Sequence, residues 1–190
     1  MMKKINVLVL GALIAMGLSS CIKGDSYDPA AQYEIEKPLI AEYVNEHMPN
    51  ARFHEATGIW YEIVSAGTAG SFNYKTIYPN VYVNYVGELL DGTEFGSDDS
   101  ASGAELNLGN TILAWQAVFF PTEVRYDGNG ELLTEPHKFG GITTEGLQKG
   151  ATIRFVTPSH MAYAQRGKGT VPPNSPLYFE IQVVDIQDAN

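Results

Sequence analysis

Cys21 is the only thiol in the 190-residue chain, and its surroundings suggest a use for it. Lys3 and Lys4 make a short positive region, and Ile5 to Leu18 is an apolar run of about 14 residues. Such a run is short for a bilayer-spanning helix and matches the core of an export leader. It ends in Leu18-Ser19-Ser20-Cys21, an aliphatic residue and two small ones before the cysteine. The expected chemistry is transfer of diacylglycerol to Cys21 Sγ and cleavage just before it. A lone thiol forms no internal disulfide. Other reactive types are not arranged for covalent or metal chemistry, with no Ser-His-Asp order and no metal-spaced His/Cys cluster. Asp127, Asn129 and Glu131 alternate like a fragment of a calcium loop, but Leu132 stands where that loop needs glycine. His47 reads as a histidine at the edge of a core, and His137 as a solvated loop residue.

The elements that must hold any site follow from periodicity. Residues 22–30 read as a polar tether, and Asp28-Pro29 as a cap and helix start. Ile40, Tyr43, Val44 and His47 fall on one helical stripe that ends near Met48-Pro49. From Thr57 the period becomes two. Strands are predicted around Ile59, Tyr61 and Ile63, around Val81, Val83 and Tyr85, around Ile153, Phe155 and Thr157, and around Leu177, Phe179, Ile181 and Val183. On the last strand Tyr178, Glu180 and Gln182 are expected to face outward. Asp91-Gly92 signals a tight turn. Asn110 is the expected cap of a short helix over Thr111 to Val118. Between Phe120 and Glu145, Val124-Arg125-Tyr126 and Glu131-Leu132-Leu133 flank Asp127-Gly128-Asn129-Gly130, the pattern of a β-hairpin. The fold class is α+β: an antiparallel sheet with one short internal helix, an N-terminal helix and an inserted hairpin.

Composition limits the partners. Removing Lys3 and Lys4 from the 12 basic residues leaves ten against 22 acidic ones, a net charge of −12. A basic footprint for nucleic acid is absent. About 170 residues after the leader suffice for one domain with a real core. The expected organisation is a leader over 1–20, a tether and helix over 21–50, and a domain over 51–190 with an insertion at about 120–145.

Three segments resemble one family. Tyr85-Val86-Gly87, followed by Asp91-Gly92-Thr93-Glu94-Phe95-Gly96-Ser97, is similar to the FKBP pattern of Tyr-x-Gly, then Asp-Gly-x-x-Phe-Asp-Ser. Thr111-Ile112-Leu113-Ala114-Trp115 resembles that family's short core helix with its tryptophan. Met161-Ala162-Tyr163, with Val171-Pro172-Pro173 and Leu177-Tyr178-Phe179-Glu180, resembles its Ala-Tyr-Gly turn, Ile-Pro-Pro loop and last strand. The likeness runs over roughly residues 57–187, with the insertion interrupting it.

The resemblance implies an FKBP-like sheet wrapped around a short helix, and peptidyl-prolyl cis-trans isomerase activity without a cofactor. Tyr85, Phe95, Trp115 and Phe179 would form pocket walls and floor, with aliphatic wall from Ile112 and Val171. Tyr163 would offer its hydroxyl, and Ile112 its backbone amide, to a substrate carbonyl. The implied partners are proline-containing exported polypeptides, met in the cell envelope from a lipid anchor on Cys21. Ile22 after the cysteine, rather than aspartate, resembles the pattern for outer-membrane delivery. The chain also departs from the family. Gly96 replaces its pocket acid, Ala114 and Ala164 replace glycines, Leu106 replaces an aromatic, and Thr111 and Thr170 stand where larger aliphatics are common. With the insertion, which would cover the pocket, block it or bind a partner, these departures keep a non-catalytic binding or structural lipoprotein as the alternative.

Overall fold

A computed structural model describes residues 27–75, 78–127, 131–138 and 140–189. Cys21, the leader before it and Gly128-Asn129-Gly130 of the hairpin turn lie outside the described residues.

Asp28 opens the first helix. Its carboxylate accepts hydrogen bonds from the N–H of Ala30 at 2.9 Å and of Ala31 at 3.2 Å, satisfying donors that the first turn leaves without partners. Pro29 fits the first helical position, where no N–H is needed, and α1 runs Pro29–His47. The buried row of α1 is Glu36, Ile40 and Val44, continued by Met48, an i, i+4 line down one face. His47, expected at the core edge, lies off that line. Its side chain is 55% exposed, with its ring resting 4.5 Å from that of Tyr43. Among the described residues no helix is long and apolar enough to cross a membrane.

Seven strands make one antiparallel sheet: β1 (Arg52–His54), β2 (Ile59–Ala66), β3 (Asn80–Leu89), β4 (Glu94–Asp98), β5 (Ala104–Asn107), and, after the insertion, β8 (Ala151–Thr157) and β9 (Leu177–Gln187). The spatial order is β1-β2-β8-β9-β3-β4, with β5 pairing the far end of β3. The Asp91-Gly92 turn between β3 and β4 is closed by the Leu89 N–H on the Thr93 carbonyl at 2.9 Å. One face of the sheet carries α2 (Leu113–Phe119) and the main core, in which Ile59, Val83, Phe119, Phe155 and Ile181 are fully buried. The other face is covered by α1, where Ile40, Val44 and Met48 pack with Val156 and Tyr178. Tyr178, expected to face solvent, is therefore buried, its ring 5.6 Å from that of Tyr43. Alternation along β9 is real, but the outward side at this end meets a helix instead of water.

The short helix begins later than the spacing predicts. The Thr111 N–H and hydroxyl both donate to the Leu108 carbonyl, at 3.1 and 2.7 Å, so Asn110 ends a 3-10 turn and caps nothing. Ile112 is the N-cap of α2. The insertion carries β6 (Glu123–Tyr126) paired with β7 (Leu132–Lys138). The segment after β7 serves the helix: the N–H groups of Ile142 and Leu147 donate to the carbonyls of Ala117 and Phe119, both at 3.0 Å. These are acceptors that the last turn of α2 would otherwise leave without partners. Buried Gln148 then fixes the loop before β3, accepting from the Phe72 N–H at 2.9 Å and donating to the Phe72 carbonyl at 3.2 Å.

Candidate active site

β3 and β9 lie side by side with Gly87 opposite Phe179, and β4 returns with Gly96 opposite Gly87. This register brings aromatic side chains from three strands over α2. Phe95 meets Phe179 edge-on at 5.6 Å, Phe179 meets Trp115 edge-on at 5.7 Å, and Trp115 meets Tyr85 edge-on at 5.4 Å. Such edge-to-face contacts suit the ring quadrupoles. Phe155 stacks on the far side of Phe179 at 5.2 Å, and Phe119 backs Trp115 at 6.2 Å, so both pocket rings are held from behind. Gly87 leaves them room. A Cβ there would stand 2.7 Å from Phe95 Cζ and 2.9 Å from Phe179 Cε1, closer than carbon atoms approach.

The rings surround a cavity of about 380 Å³. Trp115, Phe179 and Val171 are almost fully buried beneath it, and Tyr85, Phe95, Ile112 and Tyr163 are partly buried around it. All seven residues that the sequence resemblance assigns to a pocket thus line one concavity. Val171 is presented by a tight loop in which it and Lys168 exchange backbone hydrogen bonds, at 2.9 and 3.0 Å. Burial raises the Tyr163 phenol above its ordinary pKa, helped by Tyr85, so the hydroxyl stays protonated and remains a donor. The Ile112 carbonyl is taken by the N–H groups of Trp115 and Gln116 at the start of α2, while among the described residues its own N–H donates to no backbone acceptor. Tyr163, with a hydroxyl donor, and Ile112, with an amide donor, both line the cavity around its apolar floor, residue types able to hold a peptide carbonyl.

Leu106, Thr111, Thr170 and Gly96 complete much of the wall. A Cβ on Gly96 would meet nothing closer than the Tyr85 hydroxyl at 3.6 Å, an ordinary contact, so a side chain could start there, and the family's carboxylate is absent. No described residue of the insertion lines the cavity, and Phe119 and Phe120 are buried in the core below it. The hairpin stem instead borders a separate concavity with Phe72, Tyr74 and Gln148. Sequence reading missed Asn110 and Lys168, which also line the pocket. Lys168 lies three residues before Val171 between two glycines, which is the signal for a tight loop turned toward the same wall.

The sheet, the helix crossing it and the ring cluster at their junction match a known pattern. The profile described as "FKBP-type peptidyl-prolyl cis-trans isomerase" matches residues 141–184, which carry Tyr163, Val171 and Phe179. FkpA of Escherichia coli, an FKBP-type peptidyl-prolyl cis-trans isomerase, is 31% identical over 134 residues. This chain belongs to the FKBP-type family. The FkpA alignment covers 70% of this chain and 40% of FkpA, so the chain spans about two fifths of that relative's length. The crystal structure of E. coli FkpA superposes with a TM-score of 0.59 at 24% identity, covering 86% of this chain and 62% of that one. A peptidyl-prolyl cis-trans isomerase from Pseudomonas syringae superposes at 0.56 with 24% identity, covering 87% of this chain and all of that one. At these identities the superpositions establish the FKBP fold. Within the FKBP-type family frame, the profile begins only after the hairpin, so Tyr85, Phe95, Ile112 and Trp115 lie outside it.

Proposed function

We propose that this chain is a peptidyl-prolyl cis-trans isomerase that acts on exported polypeptides from a lipid tether at Cys21. The observation that carries the reading is the convergence of Tyr85, Phe95, Trp115 and Phe179 on one apolar cavity with the Tyr163 hydroxyl and the Ile112 amide at its edge. Rotation of an X–Pro bond breaks nothing covalent and must pass a barrier of ~18–20 kcal/mol. The planar amide is the more polar state, because conjugation is lost at the twist. A dry aromatic floor withholds the water that stabilises the planar form, and donors that grip the carbonyl best when it is turned favour the twisted one. The leader motif before Cys21 and the polar tether after it support the exported setting. The domain organisation proposed is the leader over 1–20, the tether and helix over 21–50 and the FKBP-type domain after them.

One observation favours a second reading, a non-catalytic binding module. Gly96 leaves the pocket without the carboxylate that the family resemblance places there. The two are separated by cis–trans exchange of an Ala-Phe-Pro peptide, measured by NMR with protein lacking residues 1–21. Acceleration that is lost in a folded Phe179→Ala variant, and reduced about threefold to tenfold in Tyr163→Phe through one missing hydrogen bond, supports the isomerase. Peptide binding without acceleration supports the binding module.

A further inference from the structure

We propose that the groove beside the proline pocket reads an acidic side chain next to the substrate's proline, with Lys168 and Arg166 as the specificity-determining residues. The inference rests on the isomerase reading and deepens it by naming a substrate class. A second concavity of about 510 Å³ adjoins the pocket on the far side of Tyr163. The two share Asn110, Thr111, Ile112, Tyr163 and Lys168, so a chain that lays its proline on the aromatic floor continues into this groove within a residue. Arg166 and His160 line the groove's other side.

The charge of this region runs against that of the molecule. The chain holds 22 acidic residues to 12 basic ones, yet among the described residues no carboxylate lines either the pocket or the groove. The position where a family acid is expected is Gly96. Lys168 and Arg166 join no ion pair among the described residues, whose ion pairs use Lys37, His47, Arg125, Lys149 and Arg154. The Lys168 ammonium is held 5.4 Å from the centre of the Tyr163 ring, a cation–π contact that keeps it at the junction of the two cavities. Both residues are exposed, so they draw in an anionic side chain without a large desolvation cost. Burial disfavours the charged form of His160, which leaves the positive charge to Lys168 and Arg166.

The test compares NMR exchange rates and affinities of matched peptides carrying Glu, Gln or Lys, placed before or after the proline. Affinity is read from shifts of the Trp115 indole N–H. At low salt, Glu peptides should exceed Gln peptides by about fivefold at one position or both, with Lys peptides lowest. In 1 M salt, where screening acts within about 3 Å, the order should shrink to less than about twofold. An Arg166→Glu/Lys168→Glu variant should reverse the order, with the Gln peptide as internal reference. Equal rates and affinities for all three side chains at both positions would overturn the inference while leaving the isomerase reading intact. If no peptide exchanges faster, the isomerase reading falls, and the affinities decide: a Glu preference that salt removes upholds the groove, and its absence overturns it.

Discussion

The buried carboxylate of Glu36 accepts two hydrogen bonds from Ser159, one from its N–H at 2.8 Å and one from its hydroxyl at 2.5 Å, across 123 residues of sequence. Gln32 adds a third donor one turn earlier at 2.9 Å. Ser159 begins the 3-10 turn Ser159–Met161, and Tyr163 follows two residues later. The contact therefore ties α1, outside the family profile, to the loop that carries a pocket hydroxyl. A carboxylate buried in this way is tolerated because its acceptor sites are filled by donors.

Glu36→Ala leaves the Ser159 N–H buried without a partner, which costs about 1–3 kcal/mol. Chemical denaturation should show this loss, and the Ser159 amide should exchange with solvent faster. In a Ser159→Ala background the cost should fall by at least about 0.5 kcal/mol, because the two side chains form one network. Full additivity would show that Glu36 acts elsewhere.

Ala164 has φ +49°, in the left-handed region where a side chain is strained, and its carbonyl accepts the Asn174 N–H at 2.8 Å. The family resemblance places glycine there. Ala164→Gly should raise stability by about 0.5–1 kcal/mol, the relief of strain exceeding the added freedom of the unfolded chain. An unchanged or lower denaturation midpoint would count against strain at this residue.

Gly87→Ala drives a methyl group into both Phe95 and Phe179. The Phe179 ring cannot retreat freely, since Phe155 stacks behind it. Overpacking of this kind costs about 1–3 kcal/mol. If the pocket performs the proposed isomerisation, the rate should fall more steeply than the folded fraction does. A folded variant with the original rate would show that ring placement is not critical.

Burial lowers the His160 imidazole below its ordinary value, with the nearby charge of Glu36 acting in the opposite direction. Its Nδ1 is buried without a hydrogen-bonding partner, and its ring lies 5.7 Å from that of Tyr33. Unfolded histidine takes up a proton at about pH 6.5, and the folded residue does so only at lower pH. Between those values the unfolded chain binds more protons, so stability rises with pH. The contribution is complete above the unfolded value and is lost as pH falls through the folded one. Urea midpoints from pH 7 to pH 5 should therefore drop further for the natural chain than for His160→Gln.

The sequence by itself determined the elements whose signals are local. Alternating Ile59, Tyr61 and Ile63, and Leu177, Phe179 and Ile181, gave their strands because a strand shows opposite faces to successive residues. Asp28-Pro29 marked the helix start, and the spaced motifs around Phe95, Trp115 and Tyr163 named residues that line one cavity. Only the tertiary structure decided which outward faces are covered. Tyr178 and Val156 are buried because α1 crosses the back of the sheet, and Glu36 can be buried because Ser159, distant in sequence, supplies its donors. Asn110 resembled a cap, but bonds from Thr111 to Leu108 moved the cap to Ile112. The insertion read as a hairpin without a location, and its return through Ile142 and Leu147 to the end of α2 keeps its described residues off the pocket. Burial and long-range hydrogen bonding depend on which elements meet, and periodicity within one element carries no record of its partner.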